Sequence, residues 1–338
     1  MTPRFAFASA LFCLTACSSS HDAPDAPAGG DTLAADAPVT ADAACTTIAT
    51  TRCTKLQSCS PADLEKRFGD LATCETRETL ACTEALAAPM TGNTPSATLA
   101  CSDAIGAESC PDFFSKVPPT ACTTQIGPGS GACGFSAECA TGFCGVATDA
   151  LCGTCAPQPA IGDACATIGC GQDLVCVAAT SLCQSPVVAN GACSRDLPCA
   201  DGLTCVGANA QTSTTGLCTP EVTTANGACD PKHKTGADCS ADAGLACDTT
   251  TTTCVAQPLV AAGMVCGPIN GITTKCSGAA TCVIPGNQTT GTCVAPAADG
   301  ATCDTVAGPT CFTPARCVST TAGGTAGTCQ LPGSPTCQ

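Results

Sequence analysis

Cysteine constrains the folding of this chain more than any other residue type. The 338 residues contain 36 cysteines, no tryptophan, no tyrosine and nine phenylalanines, three of which lie within the first twelve residues. So few aromatic rings cannot fill the core of a large globular enzyme, and covalent bonds must stabilise the fold instead. This much cysteine beside only two histidines is typical of a chain that folds in an oxidising compartment, where thiols pair.

The cysteines after residue 123 follow a degenerate repeat. Six groups of four span residues 133–152, 165–183, 193–218, 229–254, 266–293 and 303–329. A glycine precedes each first cysteine by two or three residues, and the gap before the fourth cysteine varies most. We therefore predict six four-cysteine repeats over 123–338, each with a loop of free length before its last cysteine. Cys155 and Cys337 lie outside this count, and either they bridge each other or Cys155 replaces a neighbour in the first repeat.

The N-terminus has the features of an export signal. One positive charge, Arg4, precedes an apolar run that is too short to cross a bilayer, and the stretch ends in "LTAC", residues 14–17. This ending resembles the bacterial lipobox, which predicts a lipoprotein signal peptide over 1–16 and a lipidated Cys17; the alternative is an ordinary signal peptide cleaved nearby. Removing Cys13 and acylating Cys17 leaves 34 cysteines, an even number that permits complete pairing.

Residues 17–44 have the composition of a tether. After the cysteine they are rich in Ser, Ala, Pro and Gly and contain five aspartates, with Leu33 and Val39 as the larger apolar side chains. Such a segment cannot bury enough surface to order itself, so we expect a disordered acidic tether. Following a lipid anchor, it would hold the folded part away from the membrane.

Residues 45–122 show helical spacing and contain eight cysteines. One apolar stripe runs through Cys45, Ile48, Ala49, Cys53 and Leu56. A second helix is predicted to begin at Ser60 and Pro61, an N-cap residue followed by a proline at the first helical position. With further stripes after residue 71 and after Thr94, three or four short helices are expected in this eight-cysteine domain.

Helix geometry excludes some disulfides in this domain. Two residues eight apart on a helix are separated by about 12 Å, whereas bridged Cα atoms lie within about 7 Å. Cys45 therefore cannot pair with Cys53, nor Cys74 with Cys82, and the bridges must join different helices. Roughly a hundred connectivities exist for eight cysteines, and the sequence does not choose among the rest.

The motifs that suggest chemistry have simpler interpretations. "CGTC", 152–155, has the spacing of a redox pair but lacks the surrounding alternation of strand and helix, so we interpret both cysteines as structural. His233 lies in a long charged gap, where an exposed loop is favoured over catalysis. Thiolates needed for zinc are oxidised outside the cytoplasm, and "GPGSG", 127–131, is interpreted as a hinge. No catalytic, cofactor-binding or metal-binding residue is predicted.

Charge limits the partners. The chain carries 27 acidic and 12 basic residues, a net charge of −15. The carboxylates are mostly isolated and are interpreted as solvating charges. An acidic chain with few aromatic rings is a poor nucleic-acid binder, because binding needs basic residues against phosphates and rings against bases.

The repeat resembles a known kind of module. "GAC" or "GATC" at its opening and "GLTC" or "GLAC" at its third cysteine are similar to the Dickkopf N-terminal cysteine-rich type and, more loosely, the EGF type. The whole layout resembles the cysteine-rich surface lipoproteins of myxobacteria and their relatives. This resemblance implies an exported protein of the outer membrane or cell surface, without family catalytic residues; Dickkopf signalling is not implied.

Together these features predict a small disulfide-rich fold: a stapled α-helical domain followed by an extended array of β-hairpin and loop modules. The expected function is a lipid-anchored structural or interaction protein with a protein or glycan ligand and without catalysis. The alternative is a protease inhibitor, an exported hydrolase or a redox factor that acts through one repeat loop.

Overall fold

The predicted fold class is confirmed by the structure, a computed structural model. It describes residues 38–332 and Cys337, except 116, 124, 148, 149, 167, 172, 195, 210–213 and 322. A helical region is followed by small antiparallel sheets, and 17 disulfides connect all 34 cysteines from Cys45 onward. The predicted signal peptide, the lipidation site Cys17 and most of the tether lie outside the described residues.

Five α-helices lie in the described residues, one more than the upper end of the predicted three or four. They are α1 (Ala41–Cys59), α2 (Pro61–Phe68), α3 (Leu71–Ala87), α4 (Pro95–Ala107) and α5 (Cys110–Phe114). Helix α1 begins four residues before Cys45, so the last residues assigned to the tether are helical. Helix α1 packs against both α3 and α4.

Side chains cap the start of every one of these helices. Ser60 accepts a hydrogen bond from the backbone N–H of Asp63, and Thr94 accepts one from Ala97, as the sequence predicted. Thr40, Asp70 and Ser109 cap the other three in the same way. These short helices can form because a capping side chain satisfies a free backbone N–H group at the start of each one.

The bridges of the helical domain join different segments, as helix geometry required. Cys45 pairs with Cys82 and Cys53 with Cys74, so two bridges tie α1 to α3. The other two join Cys59 to Cys110 and Cys101 to Cys122. Inside these staples Leu56, Leu64 and Phe68 form a small apolar core together with half-cystines.

The modules are built from short strands. These are β1 (Ala132–Cys133), β2 (Cys144–Gly145), β3 (Gly153–Cys155), β4 (Val175–Val177), β5 (Leu182–Gln184), β6 (Ala192–Cys193), β7 (Leu203–Val206), β8 (Gly216–Pro220), β9 (Leu245–Asp248), β10 (Thr253–Ala256), β11 (Leu259–Val260), β12 (Val265–Ile269), β13 (Ile272–Cys276), β14 (Thr281–Val283), β15 (Gly291–Val294), β16 (Thr302–Asp304), β17 (Arg316–Ser319) and β18 (Ala326–Gln330). In each module the third and fourth cysteines lie opposite each other on an antiparallel hairpin. The gap of variable length is the loop of this hairpin.

One disulfide pattern recurs in all six modules. The first cysteine bonds the third and the second bonds the fourth, as in Cys193–Cys205 and Cys199–Cys218. In module one the fourth place belongs to Cys155, which pairs with Cys139. The third and fourth cysteines, which face each other on the hairpin, therefore do not bond each other. Each bonds a cysteine of the segment before the hairpin, and the two bridges hold that segment against the hairpin.

A turn with a left-handed residue opens modules two to six. Gly162, Asn190, Asn226, Gly263 and Gly300 have φ between 63° and 89°, which glycine and asparagine adopt at least cost. Each donates its backbone N–H to the carbonyl of the fourth cysteine of its module at 2.7–2.8 Å. Where the sequence reads Asn-Gly, the asparagine and not the glycine takes this position.

Module six is attached to the helical domain through Arg77 of α3. The guanidinium makes two hydrogen bonds to Asp299, at 2.7 and 2.9 Å, and donates to the backbone carbonyls of Phe312 and Thr313 at 2.7 Å each. It lies 5.0 Å from the centre of the Phe312 ring, which packs in turn against Phe68. The modules of the array thus contact the helices as well as their neighbours.

Module five caps the end of α2. The backbone N–H groups of Gly278 and Ala279 donate to the carbonyls of Glu65 and Lys66 at 2.8 Å. The Lys66 carbonyl lies in the last turn, where a helix runs out of internal donors, whereas the Glu65 carbonyl also accepts from the N–H of Gly69 at 2.9 Å. Gly278 has φ +62°, and its Cα lies 3.4 Å from where a Cβ on Gly69 would stand. Gly69 has φ +86°, so both positions favour glycine for their backbone conformation.

A long-range bridge joins the first module to the end of the chain. Cys152 bonds Cys337, 185 residues away. Nearby, Arg316 of module six donates to the carbonyl of Leu151 at 3.3 Å. The bridge thus closes one covalent loop through residues 152–337, which contains modules two to six.

We expect the Cys152→Ser/Cys337→Ser variant to unfold more readily than the native chain. On the chain-entropy model a loop of about 100 residues contributes about 4.7 kcal/mol, and the remaining bridges shorten the effective loop, so a loss of about 2–4 kcal/mol is expected. Denaturant unfolding under oxidising conditions measures it, with Cys165→Ser/Cys176→Ser as a control that loosens module two alone. An unchanged midpoint for the first variant would show that the closing bridge adds nothing.

Arg77 and Arg52 provide a matched pair of arginine variants. Arg77 is 13% exposed in its ion pair, whereas Arg52 is 50% exposed and lies 3.5 Å from Glu78. We expect Arg77→Ala to lower the free energy of unfolding by about 2–3 kcal/mol and Arg52→Ala by less than about 1 kcal/mol. Arg77→Lys should fall between native and Arg77→Ala, because lysine keeps the charge but not the paired hydrogen bonds. Equal effects of the two alanine variants would contradict the anchoring role of Arg77.

Candidate functional site

Two cavities lie where the modules meet the helical domain. The first has a volume of about 500 Å³ and lies between α2 and module five. The second, of about 570 Å³, lies between α5 and loops of modules two, three and four. Both have the size of small-molecule sites, and their positions follow from the contacts that attach the modules to the helices.

The first cavity, hereafter the α2–module-five cavity, has a basic rim. Lys66 and Arg67 come from α2 and Lys275 from β13. Its walls include Phe68, the last residue of α2, and Ile284, which is 43% exposed. Burial lowers the pKa of Lys275, and the nearby charge of Lys66 lowers it further. The cavity can therefore receive a group that is anionic at one end and apolar at the other.

The second cavity has an acidic rim. Asp173, Asp201 and Asp242 line it, with Phe114 of α5 as its aromatic wall. Burial raises the pKa of Asp242, and the charges of Asp63 and Asp201 raise it further. Burial also raises the pKa of Glu221, which lines a smaller adjoining cavity. The two cavities thus differ in the sign of their charge.

The "CGTC" cysteines are structural, as the sequence interpretation held. Cys152 bonds Cys337 and Cys155 bonds Cys139, so the two are not partners in one redox disulfide. Three sulfur atoms lie within 4.8 Å of one another in each of modules one to five. These sulfurs are already bonded in disulfides and do not offer the thiolates that bind zinc.

His233 lies in a partly exposed loop of module four. Its Nε2 lies 3.3 Å from a carboxylate oxygen of Asp238, with the imidazole 41% exposed. Its backbone carbonyl accepts a hydrogen bond from Gly207 of module three at 2.6 Å. The described contacts of His233 therefore help to join two modules.

The "GPGSG" segment is packed rather than free to hinge. Gly129 donates to the carbonyl of Glu138 at 2.8 Å and accepts from Ala140 at 2.8 Å. A Cβ on Gly127 would stand 2.0 Å from the carbonyl oxygen of Met90, in the helical domain. The backbones approach too closely for any larger residue here, so the segment docks module one onto the helices.

Several aspartates, interpreted from the sequence as solvating charges, hold loops in place by accepting backbone hydrogen bonds. Asp230, Asp248 and Asp304 each follow a cysteine and accept backbone N–H bonds from residues two to five positions later. For Asp230 the hydrogen bonds from Thr235, Lys232 and Lys234 lower the pKa to about 2. The recurring Cys-Asp pair in the sequence was the signal for this loop type.

The extensive disulfide bonding is consistent with an exported protein. Among the described residues, none of the helices combines the length and apolar character that crossing a bilayer requires. Comparison of the chain with protein-family models, with curated proteins and with solved structures finds no match. The resemblances inferred from the sequence therefore stay predictions.

The Asp230 loop should respond to acid in a defined range. Because the folded-state pKa lies near 2 and the ordinary value near 3.8, the carboxylate stabilises the loop above about pH 4 and loses this effect as the pH falls towards 2. We expect the amide resonances of Lys232, Lys234 and Thr235 to titrate with a midpoint near pH 2. Asp230→Asn should remove this titration, whereas Asp103→Asn on the exposed side of α4 should not. A midpoint near 4 would mean that the carboxylate does not bind these amides.

Proposed function

We propose that the chain is an exported, lipid-anchored protein of the cell surface that binds a protein partner through its modules and performs no catalysis. Cys17 would carry the lipid, and the tether up to residue 40 would separate the folded part from the membrane. The observation that carries the proposal is the shared module framework: the same pair of bridges recurs six times around loops of different sequence and length.

Exposed apolar side chains on the modules favour a protein over a glycan as partner. Ile161 and Val188 lie beside the opening turns of modules two and three and are 66% and 71% exposed. Val306 lies inside the Cys303–Cys317 loop of module six and is 74% exposed. Fixed loops lose little conformational entropy on binding, so apolar contacts contribute more of their free energy to affinity. Arrays of stapled modules are suited to presenting such loops.

Intact mass spectrometry tests the anchored, oxidised state. We expect a lipid adduct on Cys17, no free thiols in the oxidised chain and 34 alkylated thiols after reduction. Cys17→Ser should move the protein from the membrane fraction to the soluble fraction. Many free thiols before reduction, or an uncleaved N-terminus, would contradict the proposal.

Adhesion of coated beads tests the binding role. Beads that carry the oxidised chain should adhere to the surface of the producing cells, and Ile161→Asp/Val188→Asp/Val306→Asp should reduce adhesion. Val39→Asp, a control at an apolar residue 44% exposed just before α1, should not. Protease treatment of the cells should abolish adhesion, while loss after glycosidase treatment alone would identify a glycan partner instead.

A further inference from the structure

The α2–module-five cavity collects positive charge in a strongly acidic chain. Acidic residues outnumber basic ones 27 to 12 over the sequence. The described residues that line this cavity nevertheless include Lys66, Arg67 and Lys275 and no carboxylate. Its charge is therefore opposite in sign to that of the chain as a whole.

Two of these cations form no ion pair within the described part of the chain. Arg67 lies 3.5 Å from Asp63 and 5.2 Å from the centre of the Phe68 ring. Lys66 and Lys275 form no ion pair with any described residue. Both lysines also line a small adjoining cavity with Asp63 and Asp242, but neither carboxylate forms an ion pair with them. The charge of Lys66 acts on the half-buried Lys275 and lowers its pKa, and an anion between the two ammonium groups would relieve this repulsion.

The backbone next to these lysines does not oppose an anion. The final carbonyls of a helix carry partial negative charge, which would repel a carboxylate. Those of Glu65 and Lys66 instead accept hydrogen bonds from Gly278 and Ala279. Module five therefore supplies hydrogen-bond donors to two carbonyls in the last turn of α2, beside the cavity.

Much of the rest of the wall is apolar, beside the side chains of Thr273, Thr274 and Thr313. Phe68, Pro268, Ala280 and Ile284 line it, and Ile284 is 43% exposed although its side chain is large and apolar. An apolar body placed along this wall would remove that surface from water. The cations and the apolar wall share one cavity of about 500 Å³, so one molecule can contact both.

We propose that the α2–module-five cavity binds a free amphipathic carboxylate, with the carboxylate at Lys66 and Lys275 and the hydrocarbon chain along Pro268 and Ile284. This site is separate from Ile161, Val188 and Val306, to which the protein partner was assigned, and it requires neither the lipid anchor nor that partner.

Displacement of a fluorescent anion tests the site. The full oxidised chain carrying Cys17→Ser is used, so that no attached acyl chain competes. Because the chain has no tryptophan or tyrosine, the probe anilinonaphthalene sulfonate is read against little intrinsic protein emission. We expect octanoate to displace the probe and octanol, its uncharged counterpart, to displace it far less.

Matched variants locate the binding. Lys66→Gln/Lys275→Gln should weaken octanoate binding by about tenfold or more, as expected when charge-assisted hydrogen bonds are lost. Lys232→Gln/Lys234→Gln removes the same charge from exposed positions of module four and should change binding less than about twofold. Ile284→Asn should also weaken binding. Lys66→Glu, at an exposed position where folding is not at risk, should abolish octanoate binding and permit octylamine to bind.

Three results would overturn the proposal. Octanol could displace the probe as well as octanoate does, which would mean an apolar patch without recognition of charge. The two double-lysine variants could bind octanoate equally, which would place the site elsewhere. Finally, the chain could sediment with phosphatidylglycerol vesicles while octanoate neither binds nor competes, which would mean a membrane surface and not a ligand cavity. None of these results bears on the adhesion of coated beads, so the two proposals fail independently.

Discussion

The disulfides between consecutive segments are the constraint on which the rest of this structure depends. The largest fully buried side chains in the described part of the chain are all cysteines. Each module surrounds its two bridges with a few small apolar residues, a core too small to offset the entropy of ordering some thirty residues. The bridges restrict the unfolded chain as well as filling the centre of the module. Reduction should therefore remove the core and the restraint together.

The modules pack against the helical domain and do not contact only the modules next to them in the chain. Arg77 holds module six, the end of α2 receives two backbone N–H groups of module five, and Gly127 lies tightly against Met90 before module one. These contacts are polar or involve the backbone, so they do not need the large apolar surfaces that this composition lacks. The two larger cavities lie where modules meet the helices, and their lining residues carry opposite charge.

Local features could be predicted from the sequence because they depend on near neighbours. Ser60 and Thr94 cap helices where their spacing indicated, and Cys45 and Cys53 bond to other helices because residues eight apart on a helix are too distant. The candidate site could not be predicted in this way. Lys66 and Lys275 are more than two hundred residues apart in the chain, and neither lies in a recognisable motif.

The sequence by itself determined the fold class, the number of modules, the exclusion of bridges within one helix and the complete pairing that 34 cysteines permit. These depend on composition, parity and spacing, which need no knowledge of distant contacts. Only the tertiary structure decided that the first cysteine bonds the third, that Cys155 replaces Cys152 in module one and that Cys152 reaches Cys337. A disulfide forms where two Cα atoms approach within about 7 Å, and that approach is set by how each segment folds over its hairpin and how the modules pack on the helices.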